Sequence, residues 1–181
     1  MAIKAVLFDL DGTLLPMDQE IFVKEYFKGL ITHLAPFGYD AEGLTKAIWG
    51  GTEAMIKNDG SRLNEAVFWS FFQKIYGEGA RRDEPKFEEF YKTKFQDVKK
   101  VCGYRAESAK LVRGLKDAGI RVILATNPIF PAIATESRIR WAGLMPEDFE
   151  LYTTYENIGY CKPNPEYYQE ICRRIGVAPH Q

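Results

Sequence analysis

Three short apolar runs lie far apart along the chain, and each ends in a cluster of polar residues. They span Ile3 to Phe8, Arg121 to Ala125 and Phe149 to Thr153. Continuous apolar runs of this length, bounded by turn residues, are typical of strands that are buried on both faces, as in parallel sheets. The pattern therefore predicts three parallel strands.

The segments around the second and third runs have apolar residues at steps of three and four, as in amphipathic helices. Helices are predicted from Glu107 to Gly119, around Pro131 to Trp141, and from Pro165 to a stop at Gly176, with Asn164 as the cap of the last one. The buried stripe of the last helix is predicted to contain Tyr168, Ile171, Cys172 and Ile175. Strands that alternate with helices predict an α/β fold with a Rossmann-like parallel sheet core.

A long insertion separates the first strand from the second. About a hundred residues lie between Phe8 and Arg121, whereas a simple strand–helix–strand unit needs only about 30. The insertion has helical periodicity, and four helices are predicted, with breaks near residues 36–38, 59–60 and 77–79. Ser61 is predicted to cap the third helix, and residues 83–101 are predicted to form the fourth. We therefore predict a Rossmann-like core of residues 1–16 and 104–181 and a helical domain of residues 17–103.

Composition and charge exclude several classes of protein. The 181 residues are 46% hydrophobic, which is enough for a sizeable core, and their formal net charge is -1. Without a cationic block, nucleic acid is not expected as a partner. The apolar segments are too short for a signal peptide or a membrane span, so a soluble, cytoplasmic protein with no membrane partner is expected. Cys102, Cys161 and Cys172 are predicted to be free thiols, two of them in the core, and the isolated His33 and His180 are not expected to be catalytic.

The first strand leads directly into Asp9-Leu10-Asp11-Gly12-Thr13. Asp9 and Asp11 are two residues apart, so on an extended chain their side chains project from the same face and can meet one ligand. Gly12 permits a sharp turn, and Thr13 adds a hydroxyl and an amide. This arrangement predicts a small polar cup that suits phosphoryl transfer.

Two weaker motifs follow the other strands. Thr126-Asn127-Pro128 would by itself indicate a turn, and Lys162, in Lys162-Pro163-Asn164-Pro165, would by itself indicate an exposed cation. Both motifs, however, lie at or soon after the carboxyl end of a predicted strand, and open parallel sheets bind their ligands at that edge. Together with the aspartates, they predict one shared site.

In order and spacing the three motifs resemble the first three signatures of the haloacid dehalogenase superfamily of aspartate-nucleophile hydrolases. The resemblance implies that Asp9 is the nucleophile and that Asp11 is the general acid and base. It also implies that Mg²⁺ binds the Asp9 carboxylate and the Asp11 backbone carbonyl. The phosphate-binding groups would be the Thr126 side chain, the Asn127 amide and Lys162, assisted by the Gly12 and Thr13 amides.

Charge supports this interpretation. A carboxylate that attacks a phosphate dianion is repelled by about 1 kcal/mol per charge pair at about 4 Å in water and by about 4 kcal/mol at an effective dielectric of about 20. Lys162 and Mg²⁺ would offset this repulsion. An acid at Asp11 favours phosphate esters, whose leaving alkoxide needs a proton, over halides. The predicted function is a magnesium-dependent phosphatase that acts on a small phosphate monoester through an aspartyl-phosphate.

The resemblance has one gap. The family's fourth signature, an apolar strand that ends in acidic metal ligands, has no match before Gln181. We therefore expect an incomplete sheet, a chain that is a fragment of a longer protein, and weak or no turnover by these 181 residues. Two alternatives remain: a phosphate-binding or scaffolding protein without turnover, and a receiver-like phospho-acceptor domain, which the long insertion disfavours.

The resemblance implies that the helical insertion is a cap over the catalytic face. Its aromatic residues could in principle line a substrate pocket, but aromatics at helical spacing more commonly form the core of a bundle. The sequence therefore predicts bundle core for this set, which consists of Trp49, Phe68, Trp69, Phe71 and Phe72.

Overall fold

The computed structural model describes residues 3–181 and contains one parallel sheet. Its three strands are β1 (Ala5–Phe8), β2 (Arg121–Leu124) and β3 (Leu151–Tyr152), in the order β1-β2-β3. Phe8 is paired with Leu124, and Leu124 with Tyr152. The strands are shorter than predicted: Ile3 is 67% exposed and precedes β1. The α/β class and the parallel sheet are confirmed.

Seven α-helices accompany the sheet in residues 3–181. They are α1 (Gln19–Leu34), α2 (Ala41–Ile56), α3 (Asn64–Tyr76), α4 (Glu84–Lys92), α5 (Ala106–Asp117), α6 (Ala132–Trp141) and α7 (Pro165–Ile175). Short 3₁₀ helices span Ala35–Phe37, Glu78–Asp83, Lys94–Val101 and Pro146–Asp148. The four α-helices predicted in the insertion are confirmed, although the fourth segment is divided between α4 and a 3₁₀ helix.

Side-chain caps fix several helix starts. Asp18 and Asp40 accept hydrogen bonds from the backbone of the first turns of α1 and α2. The predicted cap Asn164 accepts from the Glu166 amide at 3.1 Å. The prediction that Ser61 caps the third helix was wrong. The Ser61 amide donates to the Asp59 side chain within a turn, and α3 begins three residues later.

The two faces of the sheet are covered by different helices. Along β2, Val122 and Leu124 belong to the larger core, which includes residues of α5 and α6. Ile123 faces the opposite way, into a smaller cluster with α7. This alternation is the two-residue period of a strand that is buried on both faces. The sheet is therefore the middle layer between helices.

The buried stripe of α7 differs from the predicted one. Tyr167, Ile171 and Ile175 are buried, whereas Tyr168 is 42% exposed. Tyr167 packs with Ile171 and Ile175 at steps of four, and its hydroxyl reaches the end of β2, so the stripe begins one residue earlier than predicted. Of the three free cysteines, Cys161 is buried and the other two are partly buried.

The two crossings between the sheet region and the helical insertion run side by side. Met17 and Cys102 form an antiparallel bridge, and the Gly103 amide donates to the Pro16 carbonyl at 2.7 Å. These contacts lie at residues 16–17 and 102–103, beside both boundaries that the sequence predicts. The division into two domains stays a prediction. No helix within residues 3–181 is both long and apolar enough to cross a bilayer.

A buried amide network attaches α3 to the sheet region. Asn64 is fully buried, and its Nδ2 donates to the Pro128 carbonyl at 3.2 Å and to Cys161 Sγ at 3.3 Å. Its Oδ1 accepts from Asn58 Nδ2 at 2.9 Å, and its backbone amide donates to the Ile158 carbonyl. Because buried amides need partners, these bonds fix α3 against the loops that follow β2 and β3.

Candidate active site

Asp9 lies immediately beyond the carboxyl end of β1, where two side chains hold its carboxylate. Lys162 Nζ donates to Asp9 Oδ1 at 2.7 Å, and Thr13 Oγ1 donates to Asp9 Oδ2 at 3.2 Å. Lys162 follows Asp9 by 153 positions, and the parallel pairing of β1, β2 and β3 brings the two segments together. The first and third motifs therefore lie in contact, as the sequence predicts.

Thr126 follows β2 and lines the same cavity as Asp9. Its backbone carbonyl accepts hydrogen bonds from Thr153 Oγ1 and from the Tyr167 hydroxyl, both at 2.7 Å. The two donors also contact each other at 2.9 Å, which makes a buried polar triad that holds the end of β2 to β3 and α7. The Thr126 hydroxyl makes no hydrogen bond within residues 3–181 and is available to a ligand in the cavity.

Asn127 connects the second and third motifs. Its Oδ1 accepts from the backbone amide of Lys162 at 3.1 Å, which places the lysine backbone beside the end of β2. Asn127 also lines the cavity. Its side chain therefore positions Lys162, while the predicted contact of its amide with phosphate stays a prediction.

The turn after Asp9 is closed by its own backbone. Gly12 has a φ of 80°, a conformation that L side chains rarely adopt. Its amide donates to the Leu15 carbonyl at 2.8 Å, and the Thr13 amide donates to the Leu10 carbonyl at 3.1 Å. These bonds would have to break before the two amides could hold phosphate oxygens, as the sequence predicts. In this structure Thr13 acts through its hydroxyl instead.

Asp11 is paired with an arginine that sequence reasoning missed. Arg138, on α6, is 1% exposed and donates from Nη1 to Asp11 Oδ2. Its guanidinium also lies over the Phe130 ring, 4.3 Å from the centroid. Arg138 is four residues after the buried Ala134 and three before the buried Trp141, so a charge on an apolar stripe is the signal that could have found it.

The two neighbours of Asp11 act on its acidity in opposite directions. Burial raises the pKa of the Asp11 carboxyl above its ordinary value, the Arg138 guanidinium lowers it, and the Asp9 carboxylate raises it again, with a net upward effect. A raised pKa favours the protonated form, which a general acid needs before it can donate a proton. Arg138 at the same time fixes the orientation of the carboxyl group.

Replacing Arg138 with Met should lower the free energy of unfolding by about 3–5 kcal/mol at neutral pH, because it leaves the Asp11 carboxylate partly buried without its cation. Loss of Arg138 would raise the pKa of Asp11 further. When a carboxyl group has a higher pKa in the folded protein than in the unfolded chain, its protonation stabilises the folded state. This contribution is complete below the pKa of the unfolded chain and is lost as the pH rises through the pKa of the folded protein. The loss in the free energy of unfolding caused by Arg138→Met should therefore be smaller at acidic pH than at neutral pH. Urea unfolding of both proteins at the two pH values would measure this difference.

Arg140→Met is the matched control. Arg140 lies two residues away on the same helix but is exposed, and its Nη2 pairs with Glu136 at 3.2 Å. Exposed pairs of this kind contribute about 0–1 kcal/mol. Equal losses for the two variants, or a deficit for Arg138→Met that is independent of pH, would contradict the role of the buried pair.

The donor groups between β1 and α6 fit a divalent cation. Asp11 Oδ1 is buried and has no hydrogen-bond partner in the described part of the chain, and the Asp11 carbonyl accepts none there either. Asp9 adds a second carboxylate to the same cavity wall. Hard oxygen donors of this kind suit Mg²⁺. Residues 3–181 contain no cluster of three His, Cys, Asp or Glu side chains that could hold a metal.

The carboxylates lie at one end of a cavity of about 260 Å³ whose other walls come largely from the helical insertion. Phe68 and Trp69 belong to the buried core, as predicted, and also line the cavity. Trp49 lines the cavity too but is 51% exposed, so the prediction of bundle core was wrong for Trp49. Phe72 is fully buried as predicted, and Phe71 borders a separate groove. Helical spacing shows which residues face inward, but it does not distinguish a packed interior from a cavity.

The chain matches the haloacid dehalogenase-like hydrolases over residues 3–181, and it belongs to that family. The resemblance that the three motifs carry is therefore confirmed at the level of the family.

Individual relatives are distant. The chain is 27% identical over 177 residues to "Putative phosphatase YhcW" of Bacillus subtilis (strain 168), which covers 98% of this chain and 71% of that protein. Among solved structures, the family enzyme bt-2542 from Bacteroides thetaiotaomicron, in complex with magnesium and inorganic phosphate, is 18% identical with a TM-score of 0.54, over 98% of this chain and 81% of that one. CbbY from Rhodobacter sphaeroides in complex with phosphate is 22% identical with a TM-score of 0.55, over 99% and 75%. These likenesses support the fold.

Proposed function

We propose that this hydrolase is a magnesium-dependent phosphatase that acts on a small phosphate monoester and forms a phosphoryl bond to Asp9. The observation that carries the proposal is the placement of the Asp9 carboxylate. Lys162 and Thr13 hold it at the end of β1, and it shares a cavity with the Thr126 hydroxyl, which has no hydrogen-bond partner among residues 3–181. A nucleophile and a donor for phosphate oxygens thus line one space, and Lys162 places a cation against the nucleophile.

In the first step, an Asp9 carboxylate oxygen attacks phosphorus as the bond from phosphorus to the ester oxygen breaks. Asp11 transfers its proton to the departing oxygen, so that a neutral alcohol leaves and Asp11 becomes a carboxylate. The Thr126 hydroxyl and the Lys162 ammonium stabilise the oxygens of the phosphoryl group during transfer. Arg138 remains paired with Asp11 and stabilises its charged form.

In the second step, water attacks the phosphorus of the aspartyl-phosphate. Asp11 takes a proton from that water, the bond from phosphorus to the Asp9 oxygen breaks, and inorganic phosphate leaves. Both carboxyl groups then have the protonation that they had at the start. Two moderate displacements replace one difficult displacement.

The charges of the side chains explain why a metal is part of the proposal. Lys162 balances the Asp9 carboxylate, and with Asp11 protonated only the single positive charge of Arg138 remains, which cannot neutralise a phosphate dianion. The Asp9 carboxylate and the Asp11 carbonyl would hold Mg²⁺, which would supply two positive charges beside the phosphoryl oxygens. The helical residues 17–103 would act as a cap that excludes water from this site.

The proposal is tested by trapping the intermediate. The protein is mixed with phenyl phosphate and Mg²⁺, quenched in acid, digested and examined by mass spectrometry. A phosphoryl group on the peptide that contains Asp9, and its absence when EDTA replaces Mg²⁺, is the expected result. A phosphoryl group on another residue, or phosphate release with no adduct at Asp9, contradicts the mechanism.

The same experiment separates the alternatives. Steady phosphate release together with the adduct indicates a phosphatase. An adduct without steady release is the behaviour expected of a phospho-acceptor domain. Binding of inorganic phosphate with neither adduct nor release would instead favour a phosphate-binding or scaffolding protein.

A further inference from the structure

The cavity beyond the two aspartates has an apolar, aromatic wall. From the insertion it is lined by rings and aliphatic groups on α1, α2, α3 and α4, among them Phe22, Phe27, Trp49, Phe68, Trp69 and Phe87. From the sheet side it is lined by Ile129, Phe130 and Tyr155. A leaving group attached to a phosphate at Asp9 would enter this space.

Positive charge is missing from the wall. Among residues 3–181, no Lys, Arg or His lines the cavity, and the only carboxyl groups that line it are those of Asp9 and Asp11. Arg138 is close, but its guanidinium is bonded to Asp11 and covered by the Phe130 ring. A second phosphate or a carboxylate on the substrate would therefore be desolvated without a counter-ion.

Hydrogen-bonding groups on the wall are few. The hydroxyls of Tyr26 and Tyr91 are bonded to each other at 3.0 Å, so both phenols are already partnered. On the insertion side there remain Gln19, Thr52 and the indole N–H groups of Trp49 and Trp69. Trp69 Nε1 is buried and has no partner among residues 3–181, so it could donate one hydrogen bond to a ligand. A sugar or another polyol would exchange several water hydrogen bonds for contact with rings, which disfavours its binding.

We propose that the substrate is a phosphate monoester of an uncharged, ring-bearing alcohol or phenol, and that the aromatic wall selects it against sugar phosphates and bisphosphates. This inference rests on the proposed phosphatase activity. Hydrolysis follows the two steps described above and releases the apolar alcohol and inorganic phosphate.

Size limits the ring system. The cavity measures about 260 Å³, whereas a dry apolar cavity of about 150 Å³ accommodates benzene. One ring with a short substituent, or two fused rings, therefore fits. Trp49, which is 51% exposed and stacks on Phe27 with centroids 5.6 Å apart, forms a wall that can be altered without opening the buried core.

Two measurements test the inference. The first compares kcat/KM for benzyl phosphate and glycerol phosphate, where we expect a preference for the benzyl ester of about 10²-fold. Trp49→Ala should lower kcat/KM for benzyl phosphate by about tenfold and leave that for glycerol phosphate nearly unchanged. Ile75→Ala, at an exposed position outside the cavity, is the control and should change neither value.

The second measurement needs no turnover. Binding of benzylphosphonate and 2-hydroxyethylphosphonate is followed by tryptophan fluorescence or thermal shift, and benzylphosphonate should bind at least about tenfold more tightly, with the advantage lost in Trp49→Ala. Equal binding, tighter binding of the hydroxyethyl compound, or no binding of either overturns the inference. If benzylphosphonate binds preferentially but no ester is hydrolysed, the apolar selectivity stands and the proposed reaction fails.

Discussion

Replacing Asp9 with Asn should reduce phosphate release by about 10⁴-fold or more, because an amide oxygen is a far poorer nucleophile toward phosphorus than a carboxylate oxygen. The shape of the side chain is nearly unchanged, and Thr13 and Lys162 can still surround it. The variant should therefore bind phosphonates and yet form no acid-stable adduct. Steady-state release of phosphate and mass spectrometry of the quenched protein measure the two effects.

The matched control is Asp97→Asn, a change of the same chemistry at an exposed position in the 3₁₀ helix Lys94–Val101. It should leave turnover unaltered. Folding should not confound the comparison, because Asp9 is 38% exposed and its pair with Lys162 is only partly buried, so the pair contributes about 1 kcal/mol or less. Turnover by the Asp9 variant equal to that of the unaltered protein would exclude Asp9 as the nucleophile.

Local signals explain why the sheet and three site motifs could be predicted from the sequence. An apolar run that ends in Asp9 and a second that ends at Thr126 each specify a strand and its carboxyl end. Parallel pairing then brings those ends to one edge, so residues more than a hundred positions apart meet without any long-range signal in the sequence. Asn164 and Gly176 likewise bound α7 by capping chemistry that acts within one turn.

Features that depend on tertiary packing were missed. Arg138 meets Asp11 across 127 positions, and nothing near Asp11 in the sequence indicates an arginine partner. The cavity was missed for the same reason. Trp49 and Phe72 are both aromatic and lie on neighbouring helices, yet Trp49 is 51% exposed at the cavity and Phe72 is fully buried. Periodicity assigns residues to a face, whereas the fit between helices decides whether that face is filled.

Replacing Asp11 with Asn should have an effect that depends on the leaving group. An amide cannot donate the proton that a departing alkoxide needs, so hydrolysis of benzyl phosphate should slow by about 10²–10⁴-fold. With 4-nitrophenyl phosphate the departing phenolate is stable without a proton, and the first step should slow by less than about tenfold. The second step lacks its base in either case, so an aspartyl-phosphate should accumulate with the nitrophenyl ester and appear as a burst followed by slow release.

The pH dependence provides a second readout of the same residue. Because burial raises the pKa of Asp11 while Arg138 opposes that effect, the unaltered protein should lose activity toward benzyl phosphate as the pH rises and Asp11 loses its proton. Asp11→Asn should remove this alkaline decline. It also leaves Arg138 buried without its anion, so some loss of stability is expected. Unfolding lowers the rates for both esters by the same factor, however, so it cannot produce the dependence on the leaving group, and equal losses for the two esters would exclude Asp11 as the general acid.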